Sequence, residues 1–209
     1  MTAPAKRTAV PRPPGTNSVR QQIEPGDYVQ AYRDGSLGVL SMIPVDAVAE
    51  LIEVLAAALK DRRHVFICGN GGSAATASHF AAGLGKEGSS GRVWKFRVLS
   101  LTDNVPWITS LANDREYSAI FVEQLENFAQ PGDVLITFSG RGNSANVIRA
   151  IEWAQGHGLI TVGITGRAGG RLDGMVDHAV CVDSSHMGHI EEAHFLIQHL
   201  VSYYFEEAE

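Results

Sequence analysis

Between Val45 and Lys60 the apolar residues Val48, Leu51, Ile52, Leu55 and Leu59 recur at intervals of three and four. That spacing predicts an amphipathic helix. Downstream, short apolar runs at 64–68, 96–101, 133–138, 159–165 and 178–182 are too brief for buried helices, and most are closed by glycine, serine or aspartate, so they predict strands. Helical spacing returns between them at 72–84, 105–112, 118–129 and 144–157, and again in a long last segment, 188–206. A shorter amphipathic stretch around 28–40 precedes the whole series. Five short strands alternating with helices predict an α/β fold, a three-layer α/β/α sandwich on a five-stranded, mostly parallel sheet. In such sheets ligands bind beyond the carboxyl ends of the strands.

Composition narrows the function. At 209 residues the chain fits one domain, 21–209, behind a basic leader, 1–20, with prolines at 4, 11, 13 and 14 and with Lys6, Arg7, Arg12 and Arg20. Those prolines spoil the amphipathic helix of a transit peptide and favour a flexible leader. A net charge of −6 argues against a general nucleic-acid grip. Cys68 and Cys181 sit in apolar runs and read as buried free thiols, and no stretch is apolar enough for a membrane span, so a cytoplasmic protein is expected.

The loops after the predicted strands carry the chemistry. Gly69-Asn70-Gly71-Gly72-Ser73-Ala74 opens a helix, where free N–H groups and a positive dipole end suit an anion. It also fits the dinucleotide fingerprint. The ribose-binding acid of that fingerprint stands about 20 residues on, whereas Asp103 lies well beyond that, so a nicotinamide dehydrogenase ranks third. Ser139-Gly140-Arg141-Gly142-Asn143-Ser144 is a second cradle, with hydroxyls and a forked guanidinium suited to phosphate. The alternative is that Ser144 or Asn143 only caps the helix. Asp103, in Thr102-Asp103-Asn104 after the second strand, accepts from sugar hydroxyls or caps a helix. Thr165 to Arg171 forms a third loop of similar composition.

Taken in order, Gly69 to Ala74, His79-Phe80-Ala81, Leu101 to Asn104, Ala112-Asn113-Asp114, Gly132 to Leu135 and Gly142 to Val147 resemble the SIS (sugar isomerase) family. The resemblance runs from about Val45 to Phe205 and favours the phosphoheptose isomerase branch. It implies a flavodoxin-like parallel sheet and interconversion of sedoheptulose 7-phosphate with an aldoheptose 7-phosphate. It implies a phosphosugar held by Asn70, Gly71, Ser73, Asp103, Asn104, Ser139, Gly140, Arg141 and Ser144, and a homodimer or homotetramer. No nucleotide cofactor, nucleic acid or membrane is expected. Gly140-Arg141 replaces the usual Thr-Ser. A replication-initiator-associating relative, a binding protein, has a similar Arg-Gly-Asn-Ser loop, which keeps a non-catalytic phosphosugar-binding or protein-docking module as the alternative.

An aldose–ketose isomerisation moves a proton between adjacent carbons through an enediol and needs a base and an oxyanion donor. The segment His186 to His199 is the dense cluster of such groups. Glu191 and His199 are the expected catalytic pair. By resemblance His79, Glu191 and His199 match three of four ligands of a divalent metal, generally zinc, with Glu191 replacing a glutamine. The fourth family position, a glutamate base, is Gly83. Glu191, Glu87 or another subunit would have to supply that group.

Overall fold

The computed structural model describes residues 23–167 and 169–208. The leader, 1–20, lies outside them. Two helices come first, α1 (Pro25–Leu40) and α2 (Val45–Lys60). The alternating series follows as β1 (His64–Gly69), α3 (Gly72–Lys86), β2 (Arg97–Ser100), α4 (Val105–Asp114), α5 (Val122–Phe128), β3 (Val134–Ser139) and α6 (Ala145–Gly156). It closes with β4 (Ile160–Gly166), α7 (Gly170–Asp173), β5 (His178–Val182) and α8 (Met187–Glu207).

The five strands are all parallel, in the order β2-β1-β3-β4-β5. This is the predicted α/β/α sandwich with flavodoxin-like order. Every residue of β3 is buried, and β1 and β4 are buried beyond their first residue, which is why they read as unbroken apolar runs rather than alternating ones. One core packs α2, α3 and α8 onto the sheet through Leu51, Leu55, Phe80, Leu84, Ile197 and Val201. The other face carries α4, α5 and α6 through Leu111, Leu125, Val147 and Ile151.

The sheet order reverses between β1 and β3, so the loops leaving these paired strands diverge and open a crevice. The helix expected over 118–129 is a single 3₁₀ turn (Tyr117–Ala119) followed by α5. Ala119, Ile120, Phe121 and Val122 are all buried in succession, which one face of a regular helix does not allow. α7 is a four-residue helix inside the third loop. Cys68 is buried, and burial pushes its thiol pKa up, whereas Cys181 is only partly buried, against expectation, because it lies on the edge strand.

α8 buries Ile190, Ile197 and Val201 but exposes Leu200 and Tyr204, so it is half covered rather than buried all round. Its inner face also carries His194, Gln198 and Ser202, one turn apart and each at most 1% exposed. Among the described residues, the two ring nitrogens of His194, both side-chain polar atoms of Gln198 and the Ser202 hydroxyl have no hydrogen-bond partner. Burial pushes the His194 pKa down to about 4, against a smaller opposing pull from the Thr165 backbone.

Candidate active site

At the crevice a cavity of about 180 Å³ is lined by Asn70, Ser73, Ser139, Gly140, Arg141, Ser144, Met187 and Glu191. Ser73 stands in the first turn of α3 and Ser144 at the N-cap of α6, so two helix N-termini converge on one small space. Such convergence favours an anion. The Ser144 hydroxyl makes no capping bond to α6, which removes the capping alternative for this residue. Asn143 serves the loop itself. Its amide donates to the Arg141 carbonyl (2.9 Å) and its carbonyl oxygen accepts from the Arg171 amide (3.0 Å).

Asn70 is positioned by a reciprocal amide pair with Asn146, at 2.9 and 2.8 Å, and by the Tyr117 hydroxyl donating to it at 2.9 Å. The pair clasps the β1 loop to α6, so the two halves of the cradle are held in register. Gly71 turns the chain into α3 at φ +57°. Asn146 and Met187 belong to the site although loop composition did not single them out. Asn146 stands inside the Gly142 to Val147 motif, while nothing in sequence marks Met187, which reaches the cavity from the start of α8.

Asp103 and Asn104 do not line this cavity. Asn104 Oδ1 accepts from the Trp107 amide at 3.1 Å and caps α4, so the cap falls on this residue and not on Asp103. Asp103 accepts from the Ser78 hydroxyl, in a chain of hydroxyls that includes Thr102 and Ser100. Both therefore brace the end of β2.

A second cavity, about 500 Å³, opens between α3 and α8 and is lined by His79, Gly83, Lys86, Glu87, His199, Ser202 and Tyr203 among others. Here the two imidazoles meet, Nε2 to Nε2 at 3.0 Å, with one ring donating to the other. His79 is exposed. Gly83 lies on the wall. A β-carbon built there would sit 2.6 Å from Ser202 Oγ, so Ser202 fills the place of a side chain.

Glu191 does not join this pair. Its carboxylate lies against Gly72, 2.7 to 2.9 Å from where a β-carbon of that residue would stand, and faces the serine cavity. Eight residues separate it from His199, about 12 Å of rise on an ideal helix. The expected three-ligand metal set is therefore corrected. His79 and His199 converge, Glu191 does not, and among the described residues no group of three His, Cys, Asp or Glu side chains is placed to hold an ion. The residues as arranged do not fit the divalent metal that the resemblance implied.

Comparison with known proteins agrees with this architecture. The family profile described as SIS domain matches residues 32–166. A phosphoheptose isomerase of Nitratiruptor is 39% identical over 155 residues, 72% of this chain and 80% of the relative. That of Rhodospirillum rubrum is 39% identical over 166 residues, 78% and 86% of the two chains. The chain belongs to the phosphoheptose isomerase branch of the SIS domain family. It is thus an isomerase by descent, on the fold its relatives share. The solved phosphoheptose isomerase of Francisella tularensis superposes with a TM-score of 0.82 at 27% identity, covering 88% of this chain and all (100%) of that one. The Neisseria gonorrhoeae enzyme gives 0.81 at 28%, over 88% and 99%. This chain presents Gly140-Arg141 in the cradle and Gly83 on the wall of the histidine cavity.

Proposed function

We propose that the protein interconverts sedoheptulose 7-phosphate and an aldoheptose 7-phosphate, holding the phosphate between Ser73, Ser139, Arg141 and Ser144. The observation that carries this reading is the convergence of two helix N-termini and three serines on one cavity at the reversal of the sheet order. The backbone amides and hydroxyls there supply directed donors, and Arg141 supplies permanent positive charge.

The spacing of the two cavities supports a sugar of about this length. Gly72 at the cradle and His79 at the histidine pair lie seven residues apart on one face of α3, a rise of about 10 Å. An extended seven-carbon chain, built from C–C bonds of about 1.5 Å, spans a comparable distance from its phosphate. C1 and C2 then reach the histidine pair. There a base removes the proton from the carbon bearing the hydroxyl and returns it to the neighbouring carbon, while a donor steadies the enediol oxygen. His199, oriented by His79, and Glu191 are the groups assigned to this transfer.

The apolar side chains that α8 leaves exposed, Phe195, Leu200, Tyr203 and Tyr204, support a homodimer or homotetramer built across this helix. Two free thiols support a cytoplasmic setting, and among the described residues no helix is long and apolar enough to cross a membrane.

Turnover followed by NMR tests the reading. Sedoheptulose 7-phosphate is converted, the unphosphorylated sugar is not, and Ser144→Ala raises KM at least about tenfold through loss of a hydrogen bond to a charged group. Thermal stabilisation by sugar phosphates without turnover would instead mark a binding module.

A further inference from the structure

We propose that Glu191 makes the reaction selective for phosphorylated ligands, its carboxylate leaving the serine cavity only when a phosphate displaces it. The proposal rests on the phosphosugar reading of that cavity. Three observations lead to it. The carboxylate lines the same space of about 180 Å³ as Ser73, Ser139, Arg141 and Ser144. It is pressed against Gly72, at the first turn of α3, where the helix end favours negative charge. A phosphate and a carboxylate both seek these donors, and two anions a few ångströms apart in a partly enclosed cavity repel strongly. Among the described residues one guanidinium lines the cavity, that of Arg141, enough to balance Glu191 or part of a phosphate but not both.

The direction of escape is also set by the structure. Beyond Gly72 the exposed face of α3 carries Ala75 and then His79, and α8 sets the Phe195 ring against His79, with ring centroids 4.8 Å apart. A carboxylate pushed out of the cradle past Ala75 lies beside the sugar carbons, on the cradle side of Phe195 and the histidine pair. Glu191 thus occupies the cradle in this structure and reaches the sugar once a phosphate takes its place. A sugar without phosphate leaves the carboxylate where it is, and the proton-transfer groups stay apart. Selectivity arises from displacing a like charge rather than from added contacts.

Calorimetry with inorganic phosphate, at fixed pH and ionic strength, compares the full-length protein with Glu191→Gln. The neutral amide has nothing to repel and can donate to phosphate, so the variant is expected to bind at least about tenfold more tightly. With sedoheptulose 7-phosphate the same variant shows a lower KM together with a lower kcat, a split that mere loosening of the fold does not produce. A crystal structure of the unaltered protein with phosphate, independent of how the variant folds, shows the carboxylate outside the cradle and beside Ala75 of α3. Equal or weaker phosphate binding by the variant, or phosphate and the Glu191 carboxylate together in the cavity, overturns the gating while leaving the cradle intact. Phosphate bound by neither protein overturns the cradle and the gating together.

Discussion

Position 83 shows how a single residue couples packing to chemistry. With no side chain, Gly83 lets α8 approach until Ser202 Oγ sits 2.6 Å and Ser202 Cβ 3.2 Å from where a β-carbon would be. Placing a carboxylate there with Gly83→Glu therefore overpacks the seam and is expected to cost about 1–3 kcal/mol of stability. Adding Ser202→Gly should recover part of the loss, and denaturant unfolding of the two single variants and the double variant measures the coupling. Much at this scale was legible in sequence. The serines at 73, 139 and 144 fall in one cavity because glycine-rich loops after neighbouring parallel strands can go nowhere else. Glu191 was not legible. Its distance from His199 along α8 was visible, but its preference for the cradle depends on how α8 lies against Gly72, which no local pattern encodes.

The element whose behaviour is least ordinary is α8. His194, Gln198 and Ser202 place polar atoms on its buried face, where an unsatisfied group costs about 1–3 kcal/mol. Replacing Gln198, whose two polar atoms lack partners, by leucine should thus leave stability unchanged or raise it, rather than impose the loss usual for a buried position. A thermal melt of Gln198→Leu reads this directly. His194 makes the helix sensitive to acid. It is neutral in the folded protein down to about pH 4, while the unfolded chain takes up a proton from its ordinary value of 6.5 downward. The unfolded state binds more protons across that window, so stability falls as pH drops from about 6.5 to 4, by up to roughly 3 kcal/mol. His194→Leu should flatten that part of the stability–pH curve. Helix and strand limits were legible within a residue or two wherever one face is buried, as in α2 and β5. They were not legible at 118–129, where successive buried residues break the helical period.

Across the whole molecule, function follows from topology. The order β2-β1-β3-β4-β5 sends the loops after β1 and β3 apart and turns the first turns of α3 and α6 onto the same point. From that point α3 runs beside α8 to the imidazole pair of His79 and His199, which lines a second cavity. In the proposed function the cradle and the histidines hold the two ends of one phosphorylated seven-carbon sugar. A crystal structure of the protein with sedoheptulose 7-phosphate tests this most directly. The account predicts the phosphate among Ser73, Ser139 and Ser144 and the C1 end beside His79 and His199. Phosphate bound away from these serines, or a sugar whose C1 end points away from His79 and His199, would contradict it.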